Sequence, residues 1–377
     1  MTIGIDGNEA NIAKRVGIGE YAYELLVEFY KLREKGNNSV HFTIYLKNPP
    51  LEDMPKATSW WKYCIVKPHK LWTQIGLPFY LFTRFQRPDV FFTPSHYSPR
   101  FSPVPTVMSI MDLSYIHFPS LFAKSDLYQL KNWTSYSVKQ ARKIFTISNA
   151  SKDDILTIYK KKPSDVIVTH LGIKDGSGSI DKDSRENMEK LVEKFGLTNN
   201  YILFVGTLQP RKNIARLIEA VSLLKDKDVQ LVVVGKKGWI FEDILSAPEK
   251  FNISERVKFL DFVSDEDLPS LYKHAKIFVL PSLYEGFGLP VLEAMKNGCP
   301  VITSNTSSLP EAGGEAALYV DPENVQDIAE KIETLLKDEK LRDTMVKKGY
   351  EQIKQFSWEK TARQTLEVLE DVAKRGK

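Results

Sequence analysis

The chain has 377 residues, 42% hydrophobic and 27% charged, which is ordinary for a soluble protein and long enough for two domains with full cores. Its two cysteines, Cys64 and Cys299, exclude a disulfide framework or a cysteine-based zinc cluster, and no apolar run is long enough to cross a bilayer. The net charge of +4 is unevenly divided: residues 1–175 hold 23 lysines and arginines against 15 acids, and the remainder holds 29 against 33.

In chain order, Ile3-Gly-Ile5 reads as a short strand and residues 21–32 as a helix. Residues 41–46, 90–93, 106–111, 143–148 and 166–169 are short continuous apolar runs separated by helical stretches. That is the pattern of a parallel sheet covered on both faces. Ser151 and Asp154 have the spacing of a capping box for a helix over 151–159. The polar Gly/Ser stretch 174–179 is the linker expected between two halves. A second alternating series places strands over 201–205, 229–234, 257–260, 277–280 and 300–303, and residues 358–372 form a terminal helix. The expectation is an α/β protein of two doubly wound parallel-sheet domains.

The most informative stretch is 281–295. It sets Glu285 and Glu293 on either side of a Gly286-Phe287-Gly288-Leu289-Pro290 loop that follows a buried strand. Pro290 suits the first turn of a helix, where its missing N–H costs nothing. The glycines let backbone approach a ligand, and a helix start offers unpaired N–H groups and a positive dipole end to a phosphate. Arg211 and Lys212 follow another strand and a Gly206-Thr207 turn. Two adjacent cations there suit a diphosphate; an ordinary exposed basic pair would look the same.

These residues resemble the E-x7-E signature of the retaining glycosyltransferases of family four, the glycosyl transferases group 1, most like its mannosyltransferase branch. Residues 201–213, 259–263, 298–302 and 310–314 extend the resemblance in order. Gly17-Ile-Gly19-Glu-Tyr21 and residues 145–148 extend it into the first half. It implies a GT-B fold, with two Rossmann-like domains facing a central cleft. The N-terminal acceptor-side domain would span 1–172 and the donor-binding domain 173–355, with 356–377 a terminal helix crossing back. It implies metal-independent hexosyl transfer from a nucleotide-sugar co-substrate, GDP-mannose before a UDP- or ADP-sugar, to a glycan or lipid-linked hydroxyl acceptor. No further cofactor and no nucleic acid are expected. Glu285, Arg211, Lys212 and Asp112 would be catalytic. Gly17, Gly19, Gly206, Thr207, Phe262, Val263, Gly286, Phe287, Gly288, Leu289 and Glu293 would bind the donor. Met111 stands where many relatives carry a histidine, and His117 is out of register for that role.

Other motifs admit plainer readings. Gly17 to Ala22 spells G-x-G-x-x-A, but a ten-residue loop separates it from its strand, which disfavours a dinucleotide fold. Asp265-Glu-Asp267 has the form of a metal motif, yet Ser264 as a helix cap with Asp267 at its third position explains it. His96 could face a cleft or simply be structural. Trp60 and Trp61, with Lys160 to Lys162, could touch a headgroup layer or anchor a core. The setting expected is cytoplasmic, with peripheral membrane contact through the basic first half. A sugar-nucleotide epimerase of the same fold, a nicotinamide oxidoreductase and a non-catalytic nucleotide-sugar-binding relative are the alternatives.

Overall fold

A computed structural model describes residues 1–36, 39–173 and 184–376. The linker expected at 174–179 lies outside the described residues. The chain divides into two compact units, Met1–Gly172 with Ser357–Lys377, and Ile173–Phe356.

The first unit is built on β1 (Thr2–Asp6), β2 (His41–Leu46), β3 (Trp61–Ile65), β4 (Val90–Thr93), β5 (Thr106–Ile110), β6 (Lys143–Thr146) and β7 (Val166–Val168). Every pairing is parallel, in the order β3-β2-β1-β4-β5-β6-β7. Val90, Phe91, Phe92, Val107, Met108 and Ile110 are fully buried, because helices cover both faces of the sheet. The second unit repeats the plan with β8 (Tyr201–Val205), β9 (Gln230–Val234), β10 (Val257–Leu260), β11 (Ile277–Leu280), β12 (Val301–Ser304) and β13 (Ala317–Val320). Its order is β10-β9-β8-β11-β12-β13, again all parallel. In each sheet the chain winds outward from its first strand and then returns to that strand's other side. The strand order therefore reverses between β1 and β4, and between β8 and β11. At such a point the loops leaving the carboxyl ends diverge and open a crevice.

The terminal helix Trp358–Arg375 belongs to the first unit. The Trp358 ring packs tilted against that of Tyr21 in the helix Ile18–Lys35, 6.2 Å between centres, and the Thr361 hydroxyl donates to the His170 carbonyl. A Cβ on Gly172 would stand 2.2 Å from the Trp358 nitrogen, so only glycine permits this packing.

Three expectations change. Trp61 starts a strand that the sequence did not suggest, with Trp60 just before it, and Trp61 is fully buried between Tyr30 and Phe42 at 5.4 and 5.1 Å. Trp61 anchors the core, and Trp60 is half-buried with its ring 4.8 Å from that of Tyr30. The helix Asn149–Tyr159 is capped by Ser148, whose hydroxyl accepts from the Ser151 amide at 3.1 Å. Ser148 is the extended residue directly before the helix, so the helix begins before Ser151 can cap it. The Ser151 hydroxyl donates instead to the Met111 carbonyl. The helix expected to start after Ser264 begins at Leu268. Residues 265–267 form a turn, in which Ser264 still accepts from the Asp267 amide at 3.2 Å. Strand β13 was also unforeseen. Among the described residues no helix is long and apolar enough to cross a membrane.

Candidate functional site

In the second unit, the loop leaving β8 meets the loop leaving β9 backbone to backbone. Gly206 donates to the Val234 carbonyl, Leu208 to Lys236 and Gly238 back to Leu208, each at 2.9 Å. A Cβ on Gly235 would stand 1.9 Å from the Gly206 oxygen, so this approach requires glycine. The β8 loop then turns through Pro210–Lys212 to Asn213, which adopts a left-handed conformation before the helix Ile214–Leu223. The buried Asn213 amide donates to the carbonyls of Pro281 at 2.9 Å and Pro322 at 2.6 Å. Leu283 donates to the Arg211 carbonyl at 2.9 Å. The β8 and β11 loops are thereby fixed together at the strand-order reversal. Asn213 and Gly235 were not on the sequence-derived site; the signal for Asn213 was its place directly after the basic pair.

This scaffold brings Arg211, Lys212 and Glu285 together. Glu285 is 7% exposed and accepts from Lys212 Nζ at 2.5 Å, Arg211 Nη1 at 3.1 Å and Ser282 Oγ at 2.7 Å. Arg211 also donates to the Tyr284 carbonyl. Backbone bonds from Glu285 to Ser307 Oγ, and from Ser308 Oγ to Glu285 O, lock the loop. Burial would raise the Glu285 carboxyl, but Lys212 and Arg211 overcome it and hold the group down at about 2. The sequence suggested a basic pair open to a ligand; here the two cations and one carboxylate form a preorganised cluster of net positive charge.

Gly288 precedes the helix Leu289–Lys296 with φ of 109°, and a Cβ there would press on Leu309 at 2.9 Å. Pro290 lies in the first turn as expected. Beside Gly286, Phe287 is buried against Phe356 at 5.4 Å, supporting the loop from below. Glu293, one turn along, accepts from the buried Tyr272 hydroxyl at 2.9 Å. Phe262 is 70% exposed just past β10, with Lys236 Nζ 5.7 Å from its ring centre, whereas Val263 is buried. Thr207 is exposed. All of these lie at the carboxyl edge of one sheet.

The first unit's residues are scattered by comparison. Gly17 caps the helix Ile18–Lys35 with φ of 53°. Gly19 lets the preceding loop lie close, since a Cβ would stand 3.0 Å from the Glu9 carbonyl. Asp112 accepts from the Ser114 amide at 2.9 Å, and the half-buried His96 ring faces its charge. Burial lowers the proton affinity of His96 while Asp112 raises it, and Nδ1 is enclosed without a hydrogen-bond partner. His117 turns away to Asp154 at 2.9 Å. Asp6, at the end of β1, was missed. Burial pushes its carboxyl up to about 7, although Asn8 donates to it at 2.7 and 3.1 Å. Its signal was an acid closing an otherwise apolar strand. Asp267 is engaged by Lys194 at 2.7 Å and by the Ser264 hydroxyl, and no group of metal-ligating side chains converges among the described residues.

The profile of the family "Glycosyl transferases group 1" matches residues 184–352. O-antigen chain mannosyltransferase B of Escherichia coli is 35% identical over 264 residues, which cover 69% of this chain and 68% of that protein. The serotype-specific mannosyltransferase WbdA of the same organism is 35% identical over 61% of this chain but only 29% of its own length. The structure of Anabaena HepE in complex with UDP and glucose superposes with a TM-score of 0.72 at 18% identity, covering 98% of this chain and 99% of that one. The two Rossmann-like units are those of the GT-B fold expected from the sequence.

Proposed function

This chain belongs to the glycosyl transferases group 1 family, and from that premise we propose that it moves a hexose from a nucleoside diphosphate to a hydroxyl on a glycan or lipid-linked glycan. The observation that carries the reading is the Arg211–Lys212–Glu285 cluster at the β8/β11 reversal, beside the helix start at Leu289. In the reaction the bond from the sugar's anomeric carbon to the β-phosphate oxygen breaks, and a bond to the acceptor oxygen forms. The acceptor proton passes to the departing phosphate, and the anomeric configuration is retained. Negative charge grows on the diphosphate as the bond breaks. Preorganised cations and backbone N–H groups stabilise that charge more than they stabilise the bound donor.

In this reading Arg211 and Lys212, with the amides of residues 206–207 and 286–289, receive the diphosphate without requiring a metal. Glu285 holds both cations in place and orients the sugar, Glu293 takes the ribose, and Phe262 and Val263 flank the base. The first unit presents the acceptor, with Asp112 and the Gly17–Gly19 turn on that side. Mannose is favoured as the sugar, supported by the mannosyltransferases at 35% identity, and GDP as its carrier follows the resemblance of residues 206–213 to that branch. The test is incubation with GDP-mannose, UDP-glucose or ADP-glucose, with and without a polyisoprenoid-linked glycan and with chelator throughout. Acceptor-dependent release of GDP supports the reading. Conversion of the sugar nucleotide without acceptor would point to an epimerase instead, and no turnover of any donor would count against catalysis.

A further inference from the structure

One surface of the first unit is unexplained by sugar transfer. A turn over Trp72–Gly76 runs on into the helix Leu77–Thr83. Between Leu71 and Phe82 only Thr73 and Gln74 have distinctly polar side chains, with Tyr80 intermediate. Its inner face is accounted for: Trp72, Leu77 and Leu81 pack with Tyr45, Val66 and Phe91. Its outer face is apolar as well. Leu71, Ile75, Phe79 and Phe82 follow at spacings of four, four and three, so they share one side. They are 46%, 52%, 65% and 49% exposed, and Phe85 just beyond is completely exposed. Phe101, 67% exposed, extends the patch across a shallow apolar groove of about 350 Å³ shared with Leu71, Ile75 and Trp133. A helix that is apolar all round belongs in surroundings that are apolar on both sides.

The charges around the patch have one sign. Lys67, Lys70, Arg84, Arg87 and Arg100 are all exposed, and the one acid between residues 67 and 104, Asp89, is tied to the Thr2 amide at 2.8 Å. We infer that this face docks the protein on an anionic lipid surface, with the apolar side chains entering the acyl boundary and the five cations meeting headgroup phosphates. Two features favour a bilayer over a protein. The rings protrude rather than line a deep cleft, so a rigid partner would need a fitted pocket for each, whereas acyl chains yield. A second copy using the same face would oppose like charges. Trp60 and Trp61, which the sequence left open between a headgroup layer and a core anchor, are a different set: Trp61 is packed into the core, and Trp60 is half-buried against Tyr30 and Arg33.

Co-sedimentation with vesicles tests this and needs neither donor nor acceptor, so it stands apart from the transfer reading. The protein is predicted to bind phosphatidylcholine vesicles containing about a third phosphatidylglycerol, and to bind pure phosphatidylcholine far less. The combined variant F79S/F82S/F85S, altered only at half-exposed or more exposed positions, should bind about a hundredfold more weakly while keeping its unfolding temperature. The single variant Phe79→Trp should shift its emission to the blue, relative to wild type, on adding the anionic vesicles. Absence of sedimentation, equal binding by the triple variant, or an emission spectrum of the Phe79→Trp variant that vesicles leave unchanged would overturn the inference. So would a concentration-dependent dimer that the triple variant abolishes.

Discussion

Asp6 and Glu285 are buried carboxylates beside the strand-order reversals of the two sheets, Asp6 closing β1 and Glu285 in the loop that leaves β11, and they are pushed in opposite directions. Glu285 is held down at about 2 and Asp6 is raised to about 7. Burial is the first influence on both and raises both. The outcome is decided by what the neighbouring loop supplies. The β8 loop brings Lys212 and Arg211 within 3.1 Å of Glu285, while the β1 loop brings Asp6 the amide and side chain of Asn8 and the repulsion of Glu9, with Lys47 past β2 a weaker attraction that burial outweighs. The second unit's edge is thus a fixed arrangement of charge, suited to stabilising a charge that appears elsewhere. The first unit's edge holds a carboxyl able to exchange a proton near neutrality.

The largest expected effect falls on the fixed edge. Glu285→Ala should lower the transfer rate by about a hundredfold or more, because both cations lose the group that orients them. Turnover near that of the wild type would remove Glu285 from the site. Stability against pH sharpens the contrast. The ionised Glu285 stabilises the fold above its unfolded value of 4.5, and that contribution is lost as pH falls from 4.5 through about 2. It amounts to roughly 3 kcal/mol, so the stability gap between wild type and Glu285→Gln should close over that window. A gap independent of pH would mean the cations do not hold the carboxylate.

For Gly235→Ala the backbone clash predicts a loss of about 2 kcal/mol or more in chemical denaturation. It should be accompanied by weaker nucleotide binding, since the β8 and β9 loops must part; unchanged stability would refute the close approach. Asp6 carries the opposite sign. Its raised carboxyl lowers stability progressively as pH rises from 3.8 through about 7, so Asp6→Asn should be more stable than wild type above neutrality and not below pH 4. A variant less stable at pH 8 would show that the carboxylate has partners that compensate its burial. The smallest effect is expected at Phe262, exposed beyond β10. Phe262→Ser should leave the unfolding temperature unchanged and weaken nucleotide binding by about tenfold, the scale of one lost stacking contact. Nucleotide affinity equal to that of the wild type would take Phe262 away from the base.

How far each region could be read in advance follows from the same contrast. Strands such as β8 and β11 were legible because a strand buried on both faces is a continuous apolar run. The second unit's cluster was legible because residues 206–213 and 281–295 each carry several of its parts in one stretch. The first unit's edge takes single residues from the ends of separate strands, Asp6 closing β1, His96 after β4 and Asp112 after β5, and no local pattern joins them. Residues 71–82 were opaque for another reason. A helix apolar on both sides has no period to say which face is turned outward, and only the packing of Leu77 and Leu81 decides it. Trp60 and Trp61 show the converse: a conspicuous aromatic pair whose packing depended on Tyr30 and Phe42, distant in sequence.

Whether the Arg211–Lys212–Glu285 cluster receives the donor is decided by thermal unfolding of the wild type and Lys212→Ala against millimolar GDP, UDP, ADP and NAD. A nucleoside diphosphate at about 100 times its dissociation constant should stabilise the wild type by roughly 2.7 kcal/mol. One diphosphate, GDP before the others, should raise the wild-type midpoint; NAD should not, and Lys212→Ala should lose most of the rise. An equal rise in Lys212→Ala, or none in the wild type with any diphosphate, would contradict the assignment of this cluster to the donor.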